Sequence, residues 1–348
     1  MIPYVNPENV FVHSSTVPDR ILTDGPIVRK FEELAAQYTG AKYAVACSSG
    51  TIALYCVYRS LGLAGKKIAM PSYTWRSTAE AALMANAEPV FVDIDPETLC
   101  IEHNNIPKSD AVVAIDCFGN PAPYDLLQLR CPGHIRLIVD SAHSFGSLYC
   151  GEKIGKYGIH CYSLSPTKVL VANEGGLITC NDASLADELR QLRRWAGRMT
   201  EYNAACAILG LKKLPEIIAE KKRIAEKYRQ FFHDVGWDTQ KIHAEDSSTF
   251  KDVIAILSAH ADRNNLKRHL ENCEIETRIY FWPCHTLGHF HADRELVHTN
   301  DVYARSICLP SWPGVDQEYV LKCLGEFAKR RQQLCQAGIS QMAKSATV

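Results

Sequence analysis

The chain has 348 residues, 47% of them hydrophobic and 22% charged, the composition of an ordinary soluble globular protein of about two domains. Its 38 basic and 39 acidic residues nearly cancel and form no basic block, which argues against nucleic acid as a partner. No apolar run of about 18 residues suggests a membrane span, and Met1 to Pro7 show neither a basic nor an apolar leader region, so a cytoplasmic protein is expected.

The turn Thr23-Asp24-Gly25-Pro26 leads into an amphipathic helix predicted over 26–38, with Pro26 where a helix start tolerates a missing N–H. A short apolar run from Tyr43 to Cys47 meets Ser48-Ser49-Gly50-Thr51, and Ile52 to Leu63 is apolar at helical spacing, giving strand, small-residue turn and helix. Short apolar runs recur over 67–70, 89–92, 111–115, 135–139, 160–163 and 177–180, most of the early ones separated by helix-length segments. Alternating strand and helix predicts an α/β fold, a mostly parallel sheet with helices on both faces. The later runs lie closer together, which leaves room for an antiparallel strand. Helices are predicted over 184–195 and 200–235. From about residue 248 short strands and helices alternate, and a polar tail from Gln332 to Val348 is predicted to fray. The resulting division is a large α/β domain, 1–215, and a smaller C-terminal α+β domain, 216–348.

Fourteen cysteines contain no Cys-x-x-Cys pair, and Cys47, Cys56, Cys206 and Cys308 stand in apolar contexts, so structural thiols are expected rather than disulfides. His285, His289 and His291 crowd near Cys284 without a zinc spacing, and no metal is expected there. No G-x-G-x-x-G occurs, which disfavours a dinucleotide site.

Asp140 ends the apolar run that begins at Ile135, and Lys168 follows Ser163-Leu164-Ser165-Pro166-Thr167 and precedes Asn173-Glu174-Gly175-Gly176. A strand ending in Asp and a second strand leading to Ser-x-x-x-x-Lys is what a pyridoxal 5'-phosphate (PLP) enzyme needs. The Asp can keep the pyridine nitrogen protonated, and the Lys can form a Schiff base with the aldehyde. Val169, Leu170 and Val171 argue for partial burial of Lys168, which lowers an amine's pKa. The plainer readings are a solvated lysine and an aspartate capping a turn. Ser49, Gly50 and Thr51 at a helix start can bind a phosphate, or Ser49 can simply cap the helix. Trp75, in a polar loop after a strand, suits stacking on a cofactor ring or packing. His143 suits a hydrogen bond to the cofactor or a structural role.

Taken in order, these segments resemble the DegT/DnrJ/EryC1/StrS family of sugar aminotransferases. The resemblance runs through Leu22 to Pro26, Ser48 to Thr51, Pro71 to Thr78, Pro89 to Ile94, Phe118 to Pro121, Asp140 to His143, Ser163 to Lys168, Glu174 to Gly176, Arg198 to Glu201 and Tyr280 to Pro283. It implies a fold-type I PLP enzyme, usually a homodimer with active sites at the subunit interface. Lys168 would be the Schiff-base lysine and proton shuttle, and Asp140 would pair with the pyridine nitrogen. Trp75 would stack on the ring, His143 would contact the cofactor, and Ser49, Gly50, Thr51 and Ser163 would surround its phosphate. Tyr280, Trp282 and Thr23 are candidates for the substrate side. The implied reaction moves an amino group from L-glutamate to a keto group of a nucleotide-linked sugar. The chain departs from the family in its short connection before Arg198, where Ala196 stands in place of an Asn that reaches the partner's cofactor. Asp116 replaces a frequent His and Ser141 a frequent Ala. The alternatives are a non-enzymatic homologue that binds PLP or a sugar nucleotide for regulation, and a related sugar dehydratase, whose usual His in place of the lysine argues against it.

Overall fold

A computed structural model describes residues 1–6, 22–130 and 136–345, with side chains as far as 333. Ile135, the predicted start of one strand, and 346–348 of the predicted tail lie outside the described residues.

The first half of the chain alternates as the apolar runs require. Its elements are α1 (Pro26–Thr39), β1 (Tyr43–Cys47), α2 (Gly50–Ser60), β2 (Lys67–Pro71), α3 (Ser77–Met84), β3 (Glu88–Val92), β4 (Ala111–Ile115), α4 (Tyr124–Arg130) and β5 (Arg136–Asp140). A hairpin of β6 (Leu148–Tyr149) and β7 (Glu152–Lys153) precedes β8 (Ile159–Ser163), β9 (Gly176–Cys180), α5 (Ala183–Ala196) and α6 (Glu201–Val235).

Seven strands form one sheet in the order β1-β9-β8-β5-β4-β2-β3. Every described pairing among β2, β3, β4, β5 and β8 is parallel, and β9 runs antiparallel to both β8 and β1. Successive residues of a strand enter opposite faces. Val112, Ala114 and Val139 pack on one side with Phe31 and Ala35 of α1 and Ala204 and Ala207 of α6. Val113, Ile138 and Cys161 pack on the other with Leu54 of α2, Ala79 of α3 and Leu189 of α5. Burial on both faces explains why β4 reads as an unbroken apolar run, Ala-Val-Val-Ala-Ile.

Glu201 ties two helix starts together. Thr200 caps α6 by accepting the Asn203 N–H at 3.0 Å. Glu201 is wholly buried and reaches across to α1, where its carboxylate accepts the N–H groups of Gly25 at 2.8 Å, Ile27 at 2.9 Å and Val28 at 3.1 Å. A negative charge there satisfies donors that a helix start leaves orphaned.

The remaining elements are β10 (Val253–Ile256), α7 (His260–Asn272), α8 (Val297–Arg305), β11 (Ser306–Leu309) and α9 (Gln317–Ser345). β10 and β11 pair antiparallel. Val253, Ile307, Leu266 and Leu324 meet Ile224 and Tyr228 of α6 in an apolar cluster of their own. The predicted fraying from Gln332 is corrected here. α9 continues to Ser345, because Arg331-Gln332-Gln333-Leu334 and the Gln, Met, Ala and Lys residues that follow are mostly good helix formers.

Candidate active site

The parallel strands end on one edge of the sheet, where α/β proteins collect their ligands. A cavity of about 310 Å³ opens there. Among the predicted residues, Ser49, Gly50, Thr51, Trp75, Asp140, His143, Ser163, Lys168 and Tyr280 all line it. Thr23 lies elsewhere, bridged to Thr200, and Trp282 is exposed and donates its indole N–H to Thr286 Oγ1 at 2.8 Å.

Asp140 is the last residue of β5 and is buried. Its carboxylate accepts Thr78 Oγ1 at 2.6 Å and the Ala142 N–H at 3.1 Å. Burial pushes this carboxyl above the usual range, while the two donors and the Lys168 charge pull it back. Thr78 has one hydroxyl proton and gives it to Asp140, so Thr74, 3.1 Å away, must donate to Thr78.

Lys168 sits in the loop between β8 and β9, partly buried, and its backbone N–H donates to Ser165 O at 3.0 Å. Among the described residues its amine has no ion-pair partner. Burial first, and the charge of Lys251 second, push its pKa down to about 8, against an opposing pull from Asp140. Lys251 is the other amine lining the cavity. It is buried, paired with Asp252 at 2.6 Å, and lies 5.4 Å from the Tyr280 ring centroid.

The start of α2 is pressed against two strand ends. A Cβ on Gly50 would lie 2.9 Å from Ser163 Cβ, and one on Gly176 would lie 2.1 Å from Ser49 O. Ser49 caps the helix by accepting the Ile52 N–H at 3.2 Å, the plainer of its two readings. The short connection after α5 brings Gly197 alongside, with its carbonyl accepting the Ser48 N–H at 3.1 Å. Ala196 adds no polar group.

His143 packs beside two aromatic rings that stack on each other, 6.1 Å from Phe118 and 5.7 Å from Phe281. Burial holds its pKa well below the usual value, with Lys168 and Lys251 adding to the effect, so the ring is neutral. Its Nδ1 is buried without a partner, an unusual cost unless a ligand supplies one. Trp75 is 56% exposed and meets Tyr280 edge-on at 6.5 Å. A buried carboxylate, an amine of lowered pKa, a helix start with no room for a Cβ and an orphaned imidazole nitrogen together fit PLP.

Three groups escaped the sequence reading: Thr78 as Asp140's donor, Lys251, and the surroundings of Asp116. Asp116 is wholly buried and accepts Ser144 Oγ at 2.5 Å, Tyr124 Oη at 2.7 Å, Ser141 Oγ at 2.8 Å and the Ala122 N–H at 3.1 Å. Ser141 also meets His160 Nδ1 at 2.8 Å. The substitutions at 116 and 141 are therefore halves of one polar cluster behind Asp140. His285 and His289 hold separate partners, Ser72 at 2.7 Å and Glu80 at 3.0 Å. Cys47, Cys56, Cys206 and Cys308 are buried.

The GDP-perosamine synthase of Vibrio cholerae is 28% identical over 92% of this chain and 96% of its own length. A UDP-2-acetamido-2-deoxy-3-oxo-D-glucuronate aminotransferase of Pseudomonas aeruginosa is 28% identical over 74% of this chain and 77% of its own. The crystal structure of DesI in the presence of its TDP-sugar product superposes with a TM-score of 0.83 at 29% identity, over 92% of this chain and 89% of that one. The family described as DegT/DnrJ/EryC1/StrS aminotransferases matches residues 11–327, and on that match the chain belongs to this family of sugar aminotransferases.

Proposed function

We propose that the protein is a PLP-dependent aminotransferase that moves an amino group from L-glutamate to a keto group of a nucleotide-linked sugar, for deoxyamino-sugar biosynthesis. The observation that carries this reading is the convergence of Lys168, Asp140 and the α2 start on one cavity. Relatives named for GDP-, UDP- and TDP-linked sugars support the acceptor class.

When bound, PLP supplies an aldehyde for attachment and a ring that withdraws electrons from the reacting carbon. Asp140 would hold a proton on the ring nitrogen, its own charge compensated by that contact. Lys168 would bind the aldehyde and carry protons on Nζ. A pKa of about 8 leaves roughly a quarter of such amines neutral at pH 7.5, against about one in a thousand for an ordinary lysine. Lys251 is engaged by Asp252 at 2.6 Å, whereas the Lys168 amine has no such ion pair among the described residues, which favours Lys168 as the nucleophile. His143 Nδ1 and Trp75 would orient the ring, and Ser49, Gly50, Thr51 and Ser163 would hold the phosphate.

The domain division at residue 215 belongs to the same proposal and is supported by the apolar cluster that Val253, Ala255, Ile307 and Leu309 form with Ile224 and Tyr228, while Ile254, Ile256 and Cys308 join the core of the large sheet. A homodimer in the cytoplasm belongs to it as well. Leu22, 72% exposed, and Trp195, 90% exposed, leave apolar surface beside the bridges that join Thr23 to Thr200 and Cys47 to Arg198.

The test is the visible spectrum of purified protein with and without excess L-glutamate, beside Lys168→Ala. A yellow band that glutamate bleaches, and that the variant lacks, is expected. Bound PLP that no glutamate concentration alters would overturn the glutamate-dependent reading and favour a regulatory homologue.

A further inference from the structure

Lys168 borders a second cavity, of about 440 Å³, which shares Thr167, Lys168 and Lys251 with the first. One wall is a face of α6, where Cys206, Gly210, Lys213, Ile217 and Lys221 recur at helical spacing. Gly210 makes the wall possible. A Cβ there would stand 2.9 Å from Leu170 Cδ1 and 3.3 Å from Val171 O, so the helix lies directly against the loop that carries Lys168.

The charge of this cavity is one-sided. Five lysines (Lys168, Lys212, Lys213, Lys221 and Lys251) face one aspartate, Asp252, in a chain whose formal net charge is −1. Asp252 is already engaged by Lys251 at 2.6 Å and by the Tyr4 hydroxyl. Lys221 is buried and donates to Ser311 O at 2.8 Å. Lys212 and Lys213 are exposed and, among the described residues, have no ion-pair partner. Burial pushes the Lys221 amine down to about 8, with Asp252 opposing the shift and Lys251 adding to it, a cost that a bound anion would offset.

We propose that this lysine-lined cavity takes the diphosphate of the nucleotide-linked sugar, with Lys212, Lys213 and Lys221 on its oxygens, and so presents the keto carbon to Lys168; the inference rests on the aminotransferase reading above. The amino donor is also an anion, but the observations favour the diphosphate. Ammonium groups on flexible stems suit phosphate oxygens, whereas the carboxylates of an amino acid are matched best by a planar guanidinium, and among the described residues no arginine lines this cavity.

The experiment is calorimetric titration of the PLP-loaded protein with GDP, UDP and inorganic pyrophosphate, comparing wild type with Lys212→Gln/Lys213→Gln. Both side chains are exposed on α6, and circular dichroism checks the fold. The Kd for the nucleoside diphosphates should rise about tenfold or more in the variant, since each lost charge contact is worth roughly one kcal/mol. KM for the nucleotide sugar should rise in step while kcat stays within about threefold. Bleaching of the yellow band by L-glutamate should be retained. Unchanged diphosphate affinity would overturn the proposal, and so would an equal loss in the glutamate step, which would assign the lysines to the donor. A wild-type protein that binds GDP or UDP but never responds to glutamate would leave this site standing and sink the reading of function instead.

Discussion

Thr78→Val isolates the residue that keeps Asp140 charged. Valine has nearly the shape of threonine but lacks the hydroxyl that donates to Asp140 at 2.6 Å, a length typical of a charge-assisted O–H···O⁻ bond. Such a bond is worth about 1.5–3 kcal/mol. Its loss raises the Asp140 pKa further, on top of the elevation that burial already imposes. A protonated Asp140 cannot pair with a protonated ring nitrogen. Cofactor affinity should therefore fall about tenfold or more near neutrality, and the deficit should widen as pH falls. The assay is titration of the apo-protein with PLP between about pH 6 and 8.5, followed by the yellow absorbance. Thr78→Ser should restore wild-type behaviour, because it returns the hydroxyl. Equal PLP affinity of Thr78→Val and wild type at pH 6 would refute the reasoning, as would a Ser variant that behaves like Val.

Removing the Glu201 carboxylate with Glu201→Ala strips three N–H groups at the start of α1, two of them buried, of their acceptor, and urea unfolding should show a loss of about 3 kcal/mol or more, with Glu201→Gln intermediate. Asp116 has its pKa pushed up to about 6 by burial, so the native state holds this proton more tightly than the unfolded chain. The stability it contributes is fully present below about pH 4 and is lost as pH rises through about 6, roughly 2–3 kcal/mol in all. Asp116→Asn should flatten the pH dependence of the urea midpoint across that window; an unaltered slope would contradict the assignment. Gly176→Ala forces a Cβ into the Ser49 carbonyl, and the purified variant should lose PLP on dialysis that wild type retains. Retention by the variant would mean that the start of α2 does not need this close approach.

Most of the large sheet was legible because its strands are buried on both faces and stand out as apolar runs between helical segments. The β6–β7 hairpin was not. Its turn residues, Cys150 and Gly151, both take left-handed backbone, but Cys-Gly carries none of the Asn-Gly or Asp-Gly signal that marks such turns. In the cavity, Asp140 was legible because it ends a strand, and Lys168 because it follows the strand end Ser163 in a recognisable Ser-x-x-x-x-Lys neighbourhood. Thr78 and Lys251 were not, because their partners are distant in sequence and only the fold brings them together. The substitutions at 116 and 141 were visible singly, but their hydrogen bond could be known only once β4 and β5 lay side by side.

The one reversed strand has a consequence for how Lys168 moves. Because β9 runs against β8, Ser163 and Gly176 are paired neighbours, and the loop between them begins and ends on the same rung of the sheet. Leu164 donates to Gly175 O at 2.9 Å and its own carbonyl accepts the Ala172 N–H at 2.8 Å, so the loop is cinched at its neck. The Lys168 backbone is thus anchored while its four-carbon stem borders both cavities. Passage of the amine from one to the other would need only rotation about side-chain bonds, a picosecond-to-nanosecond event when unhindered, with no opening of the loop.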